Sequence, residues 1–157
     1  MFEIDVKGFA KLAERRGPFA IITELVANAW DSYDEPYPDD AKVEITLKHE
    51  GEGKALLIAA DEGHGFQDIT EAFTLFAPSR RADKPEKRGR FNIGEKSALS
   101  QMICPSVIST TPSGVRWDEN KERHWVRERR EKGTIVRGHI RISQIDYADV
   151  CDLYVGL

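Results

Sequence analysis

Between Pro18 and Asp61 the hydrophobic period of the chain changes once, from helical to extended, and that change fixes which elements it can build. From Pro18 to Tyr33, the residues Ile22, Leu25, Val26, Ala29 and Tyr33 recur on one face at about 100° per residue. Pro18 suits the first turn of that helix, where its missing N–H costs nothing. From Val43 the period is two: Val43, Ile45 and Leu47 alternate with Lys42, Glu44, Thr46 and Lys48, as in a half-buried strand. Glu50 to Gly53 reads as its turn, and the apolar run Ala55 to Ala60 reads as a central strand ending at Asp61.

The remaining chain mixes the same two kinds of element. Helices are expected over Asp5–Arg16, Asp68–Phe76 and Ile93–Ile103, the last closed by Pro105, with a final helix from Gln144 or Asp146. Strands are expected over Val107–Thr111, Gly114–Trp117, His124–Arg129 and Thr134–Ile142, with Trp117 and Trp125 forming a cross-strand pair about a polar turn. At 157 residues this is one domain, 1–157, of the α/β class in its α+β form.

Charge and composition exclude several classes. With 40% hydrophobic and 32% charged residues the chain is neither a disordered nor a membrane sequence, and no apolar run approaches the ~20 residues of a span. The start has no signal pattern, so a cytoplasmic setting is expected. A net charge of −4 gives no indication of a nucleic-acid surface. Cys104 and Cys151 are read as plain buried or half-buried thiols, and the four histidines do not cluster in sequence as metal ligands do.

Chemistry is concentrated in a few positions. Glu24, Asn28 and Asp31 fall in a narrow arc opposite the apolar face of the second helix. There a carboxylate can take a proton from water, and the Asn28 amide oxygen can complete a magnesium shell without adding charge. Asp61 ends a strand and is followed by Gly63, Gly65 and Phe66. Its carboxylate can accept from the amine of adenine, the glycines permit close approach, and Phe66 can flank the ring.

Gly89, Arg90, Phe91, Asn92, Ile93 and Gly94 then lead into a helix N-terminus, a favourable seat for an anion, with Lys96 and Ser97 in its first turn. The stretch 77–90 is charged and interrupted by prolines, with six basic residues against two acidic ones from Arg80 to Arg90, as a lid over bound phosphate would be. Thr134 can bring a hydroxyl near the base. Taken singly, each motif also has an ordinary structural reading as a wet helix face, a turn, a helix cap or a solvated loop.

In this order and spacing the motifs resemble those of the GHKL ATPase superfamily, which includes the gyrase B subunit, the heat-shock chaperone, histidine kinases and MutL. The likeness runs from about Pro18 to Ile142 and is nearest to the chaperone-like and MutL-like branches. It implies the Bergerat fold, a two-layer sandwich with helices on one face of a mixed, mostly antiparallel sheet. It further implies an ATP-binding, magnesium-dependent ATPase module with ATP and Mg²⁺ as cofactors, only weakly active in isolation.

By that likeness Glu24 is the general base and Asn28 the magnesium ligand. Asp61 hooks the adenine, Gly63, Gly65 and Phe66 flank it, and Gly89, Phe91, Ile93 and Gly94 hold the phosphates. Gly133-Thr134 resembles the late adenine contact of the chaperone and MutL branches. Asn92 stands where many chaperone-like members carry glycine. Further domains of the same polypeptide, nucleotide-dependent dimerisation and a protein client are the implied partners. A histidine-kinase-type phosphotransfer domain and a non-catalytic interaction module on the same fold are the alternatives.

Overall fold

Alternation along Val43–Gly51 (β2) has the outcome its residues dictate: Val43, Ile45 and Leu47 are buried, whereas Glu44, Thr46 and Lys48 keep contact with solvent. The computed structural model describes residues 2–3, 17–73 and 98–155. Its other strands are Phe2–Glu3 (β1), Lys54–Asp61 (β3), Ile103–Ile108 (β4), Gly114–Trp117 (β5), Arg123–Val126 (β6) and Ile135–Arg141 (β7). They form a seven-stranded sheet in the order β1-β2-β3-β7-β4-β5-β6. Every described pairing is antiparallel, so the parallel minority of a mixed sheet is not found among the described residues.

The last strand in sequence is therefore central in space. β7 enters between β3 and β4, with Val136 opposite both Ala59 and Val107.

Helices cover one face, giving a two-layer α+β sandwich. Pro18–Trp30 (α1) packs on β2, β3 and β7 and against the short helix Ala98–Gln101 (α2). Gln144–Val155 (α3) joins the same layer: Val150 is fully buried and the Tyr147 ring lies 5.2 Å from that of His49 on β2. Ile22, Leu25 and Val26 of α1 meet Val43, Ile45, Leu57 and Ile140 of the sheet. Each such side chain contributes about 1.5–3 kcal/mol by leaving water. No described helix is long and apolar enough to cross a membrane.

Several expected boundaries move. α1 stops at Trp30 rather than Tyr33, because Ser32 and Tyr33 donate three residues back, to Ala29 and Trp30, in a tightened final turn. Pro105 lies inside β4 instead of closing a helix. Cys104 adopts φ 48 beside it and the register with β7 slips between Ile103 and Ser106, a bulge at which proline removes no ladder bond. Cys104 is exposed there, contrary to the buried thiol expected, and Cys151 is half-buried.

The segment after Asp68 begins with a capping box formed with Glu71, but its described part is a single 3-10 turn, Ile69–Ala72. Trp117 and Trp125 come together through Phe73, whose ring lies 6.1 Å from one and 6.4 Å from the other. The expected helix Asp5–Arg16, the start of the expected helix Ile93–Ile103 and the expected lid 77–90 lie outside the described residues.

Candidate functional site

Burial of α1 is nearly complete around its circumference. Eleven of its thirteen residues are buried, Glu24 among them at 3% exposure, so the polar stripe read as left for a ligand is shielded from bulk water at Glu24. α1 packs both against α2 and on the sheet. Asn28, one turn later, is half-buried, and Asp31 follows as the C-cap with φ −65.

The end of α1 is tied directly to the end of β3. Ser32 Oγ lies 2.7 Å from the Ala29 carbonyl and 2.8 Å from Asp61 Oδ1, and its single proton serves one acceptor at a time. The Gly63 N–H donates to the same Oδ1 at 2.9 Å. Asp61 is 5% exposed. Burial pushes its carboxyl above the ordinary value, opposed by hydrogen bonds from Gly63 and Ser32, by the Thr134 backbone and by the charge of Arg130.

The glycines following Asp61 answer to the protein's own packing. A Cβ on Gly63 would land on the hydroxyl and carbonyl of Ser32. Gly65 has φ 74, and a Cβ there would come 2.7 Å from Ser109 Oγ and 2.8 Å from Thr110 Oγ1. Phe66 is partly buried against the core, and its N–H donates to Ser109 Oγ at 2.8 Å. Thr134 faces the same hydroxyl: the two side-chain oxygens are 2.9 Å apart, while the Thr134 carbonyl accepts from Asp61 N–H at 3.0 Å.

A second loop, between β6 and β7, closes over this cluster. Arg130 donates its backbone N–H to the Ser109 carbonyl at 2.8 Å and reaches the Asp61 carbonyl through Nη2 at 3.4 Å. Lys132 pairs with Glu62 at 3.4 Å, and Gly133, at φ 74, passes so close that a Cβ would strike the Asp61 carbonyl. Tyr33 adds its hydroxyl, accepting from Glu62 N–H at 2.8 Å and donating to the Lys42 carbonyl at 2.7 Å.

Asp61, Gly63, Gly65, Phe66 and Thr134 are thus gathered at one end of the sheet, with the C-terminal end of α1 beside them. Gly89, Arg90, Phe91, Asn92, Ile93, Gly94, Lys96 and Ser97 lie outside the described residues. Sequence reasoning missed Ser32, Ser109 and Arg130. Ser32 directly follows the singled-out Asp31, but Ser109 is one of three successive hydroxyl residues, Ser109 to Thr111, at a strand end, and Arg130 is one arginine among several in a charged loop.

Away from this cluster, Asp118, Glu122 and His124 bring ligand-type atoms within 4.8 Å of one another. Hydrogen bonding accounts for that grouping: Asp118 accepts from the backbone of Asn120 at 2.8 Å and Glu122 at 3.0 Å, and meets His124 Nε2 at 2.7 Å. No protein-family model matches the chain, and no curated protein matches it.

Proposed function

We propose that this chain is an ATP-binding, magnesium-dependent ATPase module of the Bergerat type, working in the cytoplasm as part of a larger chaperone-like or MutL-like assembly. The observation that carries the reading is the buried Asp61 carboxylate, held on Oδ1 by Ser32 and Gly63 with Thr134 beside it. A carboxylate kept in a water-poor strand end is costly, and a donor supplied by a ligand, such as the adenine amine, offsets that cost. Ser32 and Gly63 fix the carboxylate plane, so Oδ2 is the oxygen that would meet the base.

Glu24 stands one helical turn before Asn28 on α1, shielded from bulk water. In this reading Glu24 takes the proton of the attacking water, a contribution worth ~10²–10⁴-fold. The Asn28 amide oxygen, neutral and half-buried, fits a hard cation that retains most of its own water. Magnesium, when bound, would neutralise triphosphate charge. Gly89 to Gly94, Lys96 and Ser97 would receive the phosphates, and 77–90 would close over them.

Calorimetric titration with ATP and magnesium tests the proposal. Saturable binding that disappears in Asp61→Asn supports it, and heat of binding unchanged by that substitution removes Asp61 from the site. One competing reading has a specific observation in its favour. The Ser32 and Gly63 bonds also make sense as a lock between α1 and β3, as in an interaction module that binds no nucleotide, and absence of any ATP heat would select it.

A further inference from the structure

We propose that the sheet face opposite the described helices carries a second ligand site, in which Arg116 and Arg137 flank Ser106 and grip the phosphate monoester of a small molecule. Arg116 on β5 and Arg137 on β7 are both register partners of Ser106 on β4. Two strand spacings set their backbones about 10 Å apart, within reach of one phosphate for two long side chains. The residue between them is small, which leaves room above the sheet. A groove of about 470 Å³ opens at this point, lined by both arginines and Ser106, with Leu56 contributing an apolar wall. That volume is in the range of small-molecule pockets.

Charge makes the arrangement specific. Among the described residues neither guanidinium has an ion-pair or hydrogen-bond partner, although the chain carries a net charge of −4. Other ionisable groups of the groove are already engaged: Asp118 by His124 and two turn amides, and His139 by Glu50 at 2.7 Å. Glu119 remains, exposed at the rim. Two like charges held around a small residue repel, and a dianion bridging them turns that repulsion into charge-assisted hydrogen bonds. A guanidinium fork matches phosphate geometry from either side, and the Ser106 hydroxyl supplies a further donor.

The test follows the arginine Nε–Hε signals of the whole chain by NMR during titration with inorganic phosphate, a sugar phosphate, a phosphoserine tripeptide and acetate, at constant ionic strength. Saturable shifts at Arg116 and Arg137 with phosphate and sugar phosphate, and much weaker ones with acetate, are expected. Arg116→Gln and Arg137→Gln should each weaken binding roughly ten- to a hundredfold, the worth of a charge-assisted hydrogen bond. Arg137→Lys should fall between, having kept the charge and lost the fork.

Glu119→Gln should tighten binding, and Asp61→Asn should leave it unchanged, which separates this site from the proposed ATP pocket. Acetate matching phosphate, or glutamine variants binding like the native chain, would overturn the site. Preference for the phosphopeptide would overturn its assignment to a small molecule. All these positions but Asp61 are on the open sheet face or its rim, so the variants fold.

Discussion

Ser32 Oγ lies 2.8 Å from Asp61 Oδ1, and this contact joins the end of the central helix to the end of a central strand across 29 residues of sequence. The contact has two consequences of opposite sign. It holds a carboxylate in a defined orientation, and it does so where burial disfavours the charge.

Stability should therefore fall as Asp61 ionises. Because the folded-state carboxyl is raised above its unfolded value, the native chain binds more protons than the unfolded one between those two values. Its contribution is fully present below the unfolded value and is lost as pH rises through the folded one. Asp61→Asn keeps an oxygen to accept from Ser32 and Gly63 and removes the titration. Melting temperatures recorded from pH 4 to 7 should show the variant gaining on the native chain as pH rises, together with loss of ATP binding at every pH. A constant difference across that range would contradict the account.

Gly133 provides a steric test of how tightly the β6–β7 loop closes over Asp61. Gly133→Ala introduces positive-φ strain and an overlap with the Asp61 carbonyl, for a combined cost of about 2–5 kcal/mol. Gly53→Ala is the matched control: its φ is 72 and nothing lies within 4 Å of the added carbon, so only the backbone penalty of ~1–2 kcal/mol applies. Urea midpoints should separate the two. Equal losses would mean that the loop yields.

The two layers were legible because both depend on local period. Val43, Ile45 and Leu47 announce β2, and the alternation is respected to the residue. Where a non-local contact decides, the sequence was silent. Periodicity gave Glu24 a polar face, but Glu24 is buried in a helix that packs on elements as distant in sequence as β7 and α2. Pro105 signals a helix end by its local rule and is instead accommodated by a bulge, which exists only because β7 returns beside it. Gly63 and Gly65 were read as permitting close approach to a base, and the groups that crowd their missing Cβ atoms are Ser32, Ser109 and Thr110.

Glu24 distinguishes chemistry from packing. In the proposed site Glu24 is the general base, and Glu24→Gln, nearly isosteric at this 3% exposed position, should leave the chain folded. Turnover should fall ~10²–10⁴-fold with ATP affinity preserved. Leu25→Ala, at the adjacent core position with 2% exposure, should do the reverse, costing about 2–5 kcal/mol with activity surviving in the folded fraction. Glu24→Gln that unfolds the chain would assign this carboxylate to structure.

The turn joining β5 to β6 offers a pH effect of opposite sign to that of Asp61. Asp118 is held below the ordinary carboxylate range, first by its hydrogen bond with His124 and then by the Glu122 and Asn120 amides. A lowered acid stabilises the fold above its unfolded value, and that support is lost as pH falls through the folded one. Asp118→Asn should consequently lower the melting temperature at neutral pH and converge with the native chain in acid. His124→Gln should reproduce part of the loss, since the two turn amides still reach Asp118. If the Asp118→Asn deficit persisted unchanged into acid, shape rather than charge would be holding the turn together.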